Sequence, residues 1–331
     1  MNKVIAVALV SLCLVLSPTV AEATPAAFHG MPTVRLTNGR LEAVISVPLG
    51  RVISFGPCGG PNILWQSPVI DGEPQKYGPW RNWGGERTWL APQSGWPAST
   101  GTAWPPDAAW DTYTPRRRRG TRTLVLVSAI SPRSGIQITR MFRFARDGRF
   151  VIDQKATNVA GSPTTISLWH ITQVNSPEAV YFMPNPRTHY PGDYMVMTGK
   201  AGNLIRPIKE KALTKVDLHG SRPDSFKIGV DTDQPVIASR KGTNLLIEYS
   251  TLNPGRYPDG GNKRGFPVEI FDSGGVSRFT ETELLSPLYV LAKGQSCQAK
   301  VTWRLLKLST RAQTQPQRDY AVDHIVAKLC R

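Results

Sequence analysis

The stretch that most constrains this chain runs from residue 123 to residue 174. Thr123-Leu-Val-Leu-Val-Ser-Ala-Ile130 is a β-rich apolar run. After a Ser134-Gly135 turn, residues 136–144 alternate, with Ile136, Ile138, Phe142 and Phe144 on one face. Asp147-Gly148 marks a hairpin into residues 149–158, and Gly161-Ser-Pro163 turns the chain into residues 164–174. A period of two suits a pleated strand, whereas a helix repeats its faces every 3.6 residues. Four consecutive strands joined by short turns predict an all-β, large antiparallel β-sandwich. Short strand-like runs at 34–37, 41–47, 51–55, 226–230, 235–238, 244–250 and 268–272 extend the pattern, and 29 Gly and 28 Pro supply its turns. The end of the chain differs. Ala321, Val322, Ile325, Val326 and Leu329 recur at helical spacing, which predicts a short C-terminal helix packed on the outside.

Residues 1–23 have another logic: Lys3, an apolar run from Val4 to Leu16, then Ala21-Glu22-Ala23. A basic start, a short apolar core and an Ala-x-Ala site describe a secretory signal peptide cleaved after Ala23. The run is shorter than the ~20 residues of a bilayer span. The expectation is a periplasmic or secreted protein with no transmembrane segment after cleavage. Its organisation is then residues 1–23 as leader, 24–311 as β-sandwich and 312–331 as helical tail. The formal charge of +16 survives cleavage, because the leader holds one Lys and one Glu. Export argues against nucleic acid as the partner of that charge. An anionic polysaccharide or envelope surface remains compatible through basic patches such as Arg116-Arg-Arg-Arg119, beside the plainer reading of a solvated loop. Cys58, Cys297 and Cys330 follow the leader. They are too few for a disulfide scaffold, and one bridge among them has no readable pairing. The five His are scattered, and the glycine-rich 258–265 stretch lacks the strand-to-helix setting of a phosphate loop. Neither a metal nor a cofactor is expected.

Two stretches carry chemistry. In Phe279-Thr-Glu-Thr-Glu-Leu-Leu285, alternation places Glu281 and Glu283 on one face, where desolvation is costly. Far upstream, seven of the nine Trp fall between Trp65 and Trp110, around Asn82-Trp-Gly-Gly-Glu-Arg-Thr-Trp-Leu-Ala-Pro-Gln93. Gly84-Gly85 permit positive φ or close backbone approach. Arg87 offers a rigid fork of donors, and Trp83 and Trp89 offer flat apolar platforms. Each Trp alone reads first as packing, but a loop this long usually has a functional reason, and the segment as a whole reads as a sugar site. His170 shares its strand face with Ile166, Leu168, Thr172 and Val174, while Trp169, Ile171 and Gln173 face the other way. A half-buried His with a satisfied ring is its plain reading.

Glu281-x-Glu283-Leu-Leu-Ser-Pro-Leu with Leu291-Ala-Lys-Gly-Gln-Ser296 resembles the closing strands of the galactose-mutarotase-like (aldose 1-epimerase-like) superfamily. Gly84-Gly-Glu-Arg-Thr-Trp-Leu-Ala-Pro92 resembles a signature of its DUF4380 branch of mostly exported bacterial proteins. The resemblance implies a supersandwich, a sugar or glycan ligand and isomerase chemistry. Glu283 would be the base and His170 the acid. Arg87, Glu86, Trp83, Trp89, Gln93, Gln173, Glu281 and Lys263 would hold the substrate. Opening a sugar hemiacetal needs one group to take the anomeric proton and another to protonate the ring oxygen. Glu281, a like charge on the same face, is expected to raise the pKa of Glu283. Two departures from the superfamily stand out: no His lies between His29 and His170, and its sugar-gripping Asp has no clear counterpart. A non-catalytic glycan-binding or envelope structural protein using the same cleft is therefore the second reading.

Overall fold

The computed structural model describes residues 27–68, 81–209, 211–220, 224–261 and 263–329. Residues 1–23, expected to be a leader, and Cys330 lie outside the described residues. Two ten-stranded antiparallel sheets face each other. The first runs Thr33–Thr37, Leu41–Ser46, Arg51–Pro57, Glu86–Ala91, Thr164–Asn175, Phe279–Leu285, Val268–Asp272, Phe226–Val230 and Met195–Gly199, with Tyr289–Leu291 also paired to Thr164–Asn175. The second runs Ile205–Pro207, Thr214–Asp217, Ala179–Phe182, Val236–Lys241, Asn244–Ser250, Ser296–Lys307, Phe150–Asn158, Ile136–Phe144, Thr123–Ser128 and Tyr113–Arg119.

The alternating stretch behaves as its pattern dictates. Ile136–Phe144 pairs residue for residue with Phe150–Asn158 around the Asp147-Gly148 turn. Its apolar face, with Ile138 and Phe142 fully buried, packs into the core between the sheets. Phe55, Phe150 and Trp303 meet there at ring separations of 5.0–5.7 Å. Each such burial contributes about 1.5–3 kcal/mol.

Three strands from distant parts of the chain lie side by side at the centre of the first sheet. Thr164–Asn175 pairs with Glu86–Ala91 on one edge and with Phe279–Leu285 on the other. Its Ile171 stands opposite both Arg87 and Glu283, and its Gln173 opposite Glu281. The tryptophan-rich segment and the acidic strand are thus one strand apart.

Three elements differ from expectation. The Arg116–Arg119 run belongs to an exposed edge strand, Tyr113–Arg119, where repeated positive charge discourages pairing with another sheet edge. The terminal helix starts earlier than its apolar spacing, at Gln315, and spans Gln315–Leu329. It packs Val322 and Val326 on the second sheet's outer face, with Asp319 accepting from Tyr181 Oη at 2.6 Å and Lys215 Nζ at 2.8 Å. Cys58 and Cys297 are free thiols, one exposed and one buried. Among the described residues no helix is long and apolar enough to cross a membrane.

Gly84 and Gly85 have φ of +83° and +70°, and both press against neighbouring backbone. A Cβ on Gly85 would sit 2.4 Å from the Val52 carbonyl oxygen. The pair locks the entry of the Arg87 strand against Val52 and Trp65. Gly85→Ala is expected to cost at least about 2 kcal/mol, from the left-handed backbone plus the clash, read as a lower urea midpoint at unchanged m-value.

Candidate functional site: an ion-paired patch on the outer face of the first sheet

Alternation divides the residues of the three central strands. Thr88, His170, Thr172 and Thr282 contact the second sheet or bond to side chains in that interior layer. Arg87, Trp89, Trp169, Gln173, Glu281 and Glu283 take the opposite face. There Glu281 Oε1 accepts from Arg87 NH2 and from Gln173 Nε2, both at 2.8 Å. One turn of alternation along, Glu283 Oε2 accepts from Trp169 Nε1 at 2.6 Å and from Lys227 Nζ at 2.9 Å. Lys227 also lies 2.6 Å from Glu269 Oε2, so one ammonium sits between two carboxyl groups. Asp259, on the glycine-rich loop, is hydrogen-bonded to the Glu269 carboxyl. Aromatic faces complete the patch: the Arg87 guanidinium is 4.1 Å from the Trp89 ring centre, and the Lys227 ammonium 4.5 Å from that of Trp169. Such contacts are worth about 0.5–2 kcal/mol each.

Several buried polar atoms at this patch make no hydrogen bond among the described residues: Arg87 Nε and NH1, Gln173 Oε1 and Glu283 Oε1. Buried polar groups in folded proteins are nearly always partnered, and each unmade bond costs about 1–3 kcal/mol. Their convergence on one face, beside the edge-to-face pair of Trp89 and Trp169, distinguishes the patch from scattered packing defects. It offers two kinds of acceptor and one cationic donor to a neutral, hydroxyl-rich molecule.

The patch also has an uneven proton inventory. Burial pushes the Glu269 carboxyl up to about 8; Lys227 opposes this, while Glu283 and Asp259 add to it. Burial likewise raises Asp259. For Lys227, burial works to lower the pKa but the carboxylates of Glu269 and Glu283 outweigh it, so the ammonium is held well above its ordinary value. Near neutrality Lys227 is charged and Glu269 keeps its proton. The expected repulsion between Glu281 and Glu283 is not the governing contact, because each bonds to its own cation.

The sequence matches the family described as Domain of unknown function (DUF4380) over residues 32–306. The chain belongs to this family. A search of curated proteins found no match. Among solved structures, a galactose mutarotase-like protein from Lactobacillus casei is similar at 10% identity and a TM-score of 0.55, over 83% of this chain and 100% of its own. A putative aldose 1-epimerase from Escherichia coli K12 is similar at 13% and 0.51, over 84% and 100%. An aldose epimerase homologue from C. elegans is similar at 8% and 0.55, over 84% and 99%. At these identities the likeness establishes a galactose mutarotase-like fold and nothing finer.

Within this DUF4380 chain, two expected site residues lie on the wrong side of the sheet. His170 is sandwiched between the sheets, 3.0 Å from Glu86 Oε1 through Nδ1. Its Nε2 is 3.2 Å from the Thr172 hydroxyl, which donates to Glu248 Oε2 at 2.6 Å. Glu86 bonds to Arg140 in the same layer. Since Leu284, not Glu283, stands opposite His170 in the register, the sheet itself separates His170 from the Glu283 carboxylate. Trp83 packs into a side cluster with Phe28, Met31, Leu49 and Ile53 instead of forming a platform. Gln93 is exposed in the turn Gln93–Gly95. Lys263 places its ammonium 4.2 Å from the Tyr190 ring centre. Arg87, Trp89, Gln173, Glu281 and Glu283 do come together. The residues that sequence reasoning missed are Lys227, Glu269, Asp259 and Trp169. A signal existed for the first two, since Phe226-Lys-Ile and Val268-Glu-Ile each set one charge between apolar neighbours on strands.

The interior layer has its own linkage to pH. Burial opposes charge on His170, but Glu86 and Glu248 outweigh it and raise the pKa above 6.5. Burial opposes charge on Glu86, but Arg140 and His170 outweigh it and lower the pKa below 4.5. The His170 contribution is fully present below 6.5 and is lost as pH rises through its raised folded value; the Glu86 contribution is present above 4.5 and is lost as pH falls through its depressed one. The stability gap between wild type and His170→Gln is therefore expected to be widest between these limits and to narrow on the alkaline side, read by melting temperature against pH. Arg140→Met, which strands the buried Glu86 charge, is expected to cost about 3–5 kcal/mol. Adding Glu86→Leu to it should recover much of that loss in urea titrations.

Proposed function

We propose that this protein is an exported saccharide-binding protein that opens the hemiacetal of its sugar by acid/base chemistry on the outer face of the first sheet. The observation that carries the reading is the convergence of Arg87, Gln173 and Glu283 atoms, unpartnered among the described residues, beside the edge-to-face pair of Trp89 and Trp169. Sugar hydroxyls both donate and accept, and a pyranose ring presents an apolar face, so a site of this make-up matches a saccharide better than a flat hydrophobe. The mutarotase-like fold supports the same class of ligand, because proteins of similar structure include a putative aldose 1-epimerase and an aldose epimerase homologue. Glu283, with Oε2 fixed by Lys227 and Trp169 and Oε1 unpartnered, is the base of this reading. The apolar run and Ala-x-Ala site of residues 1–23 support export. The basic edge strand supports attraction to anionic glycans or an envelope surface.

A non-catalytic binder is the second reading, favoured by the burial of His170 away from the patch. Two measurements on a panel of aldoses separate the readings. A ligand present at 100 times its Kd stabilises the fold by about 2.7 kcal/mol, so a bound sugar raises the melting temperature under either reading. Only an enzyme speeds exchange between anomers, followed by NMR. Glu283→Gln is expected to lower that exchange ~10²–10⁴-fold while keeping the sugar-dependent rise in melting temperature. A wild type that binds without accelerating exchange leaves the binder, and no rise with any sugar removes both readings.

A further inference from the structure

We infer that Glu269 is the proton donor of this site, supplying to the ring oxygen the proton that His170 cannot reach. The inference rests on the hemiacetal-opening reading above and concerns a residue of a different strand, Val268–Asp272. Three geometric facts support it. First, Glu269 stands directly opposite Glu283 in the strand register, on the same outer face. Second, both carboxyl groups use Oε2 to hold the one Lys227 ammonium, and in both Oε1 is buried with no donor bonded to it among the described residues. The two unengaged oxygens therefore belong to carboxyl groups clamped side by side, as a ring-opening reaction requires of its base and its acid.

Third, the charges around Glu269 do not balance unless a proton stays. The groups that face it are Lys227 from Phe226–Val230, Glu283 from Phe279–Leu285 and Asp259 from the loop at 258–265. Arg87 is engaged with Glu281 further along the acidic strand. Glu269 is buried and shares its one ammonium with Glu283 and the exposed Asp259, so burial and like charge both disfavour its ionised form. Glu283 Oε2 accepts from the indole N–H of Trp169 as well as from Lys227. Glu269 has two carboxyl neighbours and a pKa pushed up to about 8, so it retains the proton. One strand register thus sets Glu283, the base of this reading, beside a neutral acid.

The step balances without a further reagent. Glu283 Oε1 takes the proton of the anomeric hydroxyl, and the released O–H electrons form the carbonyl. The bond from the anomeric carbon to the ring oxygen breaks, its electrons move to the ring oxygen, and Glu269 donates the proton that makes it a hydroxyl. After rotation of the aldehyde, Glu269 takes that proton back as the ring closes on the other face, and Glu283 returns its own to the new anomeric oxygen. Lys227 stays charged throughout and holds both carboxyl groups in place.

The test follows anomer exchange by NMR with D-glucose, D-galactose and a wider aldose panel, from pH 6 upward, for wild type, Glu269→Gln and Glu269→Asp. In wild type the rate is expected to fall along an alkaline limb centred near 8, where Glu269 loses its proton. Glu269→Gln is expected to lose ~10²–10⁴-fold and to show no such limb, with Glu269→Asp restoring both in part. A positioning role alone would leave the limb in place. The sugar-free readout is stability: because the folded pKa lies above the ordinary 4.5, wild type loses stability as pH rises from there to about 8. The melting temperature of Glu269→Gln should gain on wild type across that window. Exchange that persists in Glu269→Gln with its alkaline limb intact overturns the inference and leaves the hemiacetal reading standing. A wild type that accelerates exchange of no aldose overturns the hemiacetal reading and this inference with it.

Discussion

The strand Thr164–Asn175 is the element on which everything else depends, because it is hydrogen-bonded on both edges and buried on both faces. A pleated strand must send successive side chains to opposite sides. With its two neighbours locked in register, the parity of a residue decides its fate. Odd positions, Arg87, Trp89, Trp169, Gln173, Glu281 and Glu283, form the outer patch, and Glu269 and Lys227 continue it on the next strands. Even positions, Glu86, Thr88, His170, Thr172 and Thr282, form a polar layer between the sheets. A slip of one residue would exchange the two sets.

That polar layer is an unusual thing to place under a candidate site. Arg140, Glu86, His170 and Glu248 are all buried between the sheets, and an ionic layer of this kind seldom adds stability over an apolar one. What it does add is register. Each carboxylate is met by a donor from another strand: Thr172 and Thr282 reach Glu248, and Arg140 and His170 reach Glu86. A shifted pairing would leave these charges stranded. The layer therefore fixes the positions of the outward-facing residues one step along the same strands, which holds Glu283 and Arg87 at defined separations from their partners.

The sandwich was legible in the sequence because alternation is local. Residues 136–158 announce their own hairpin, and the Gly-rich turns mark where strands end. Alternation also grouped Glu281 with Glu283 and set His170 apart from Gln173. Which group faces the core is a different matter, since it depends on strands more than a hundred residues away. His170 had Ile166, Leu168 and Val174 on its side, an apolar company that already pointed inward; the family resemblance pointed outward, and packing decided. Lys227 and Glu269 each stand out as a charge among apolar strand residues, but their place beside the acidic strand was not legible, for a related reason. Nothing near them in the chain says that Phe226–Val230 and Val268–Asp272 pair next to the acidic strand. Trp83 shows the reverse error: a local motif grouped it with Arg87 and Trp89, but the positive φ of Gly84 and Gly85 turns the chain between them.

The outer patch combines fixed ion pairs with atoms left unbonded among the described residues, and on the proposed reading those atoms belong to a saccharide. A crystal structure of the full chain soaked with a sugar that raises its melting temperature tests this most directly. The account predicts the sugar ring against Trp89 or Trp169, with hydroxyls bonded to Glu283 Oε1, Gln173 Oε1 and an Arg87 nitrogen. Sugar seated elsewhere, with these atoms closed by side chains of the protein itself, would contradict it.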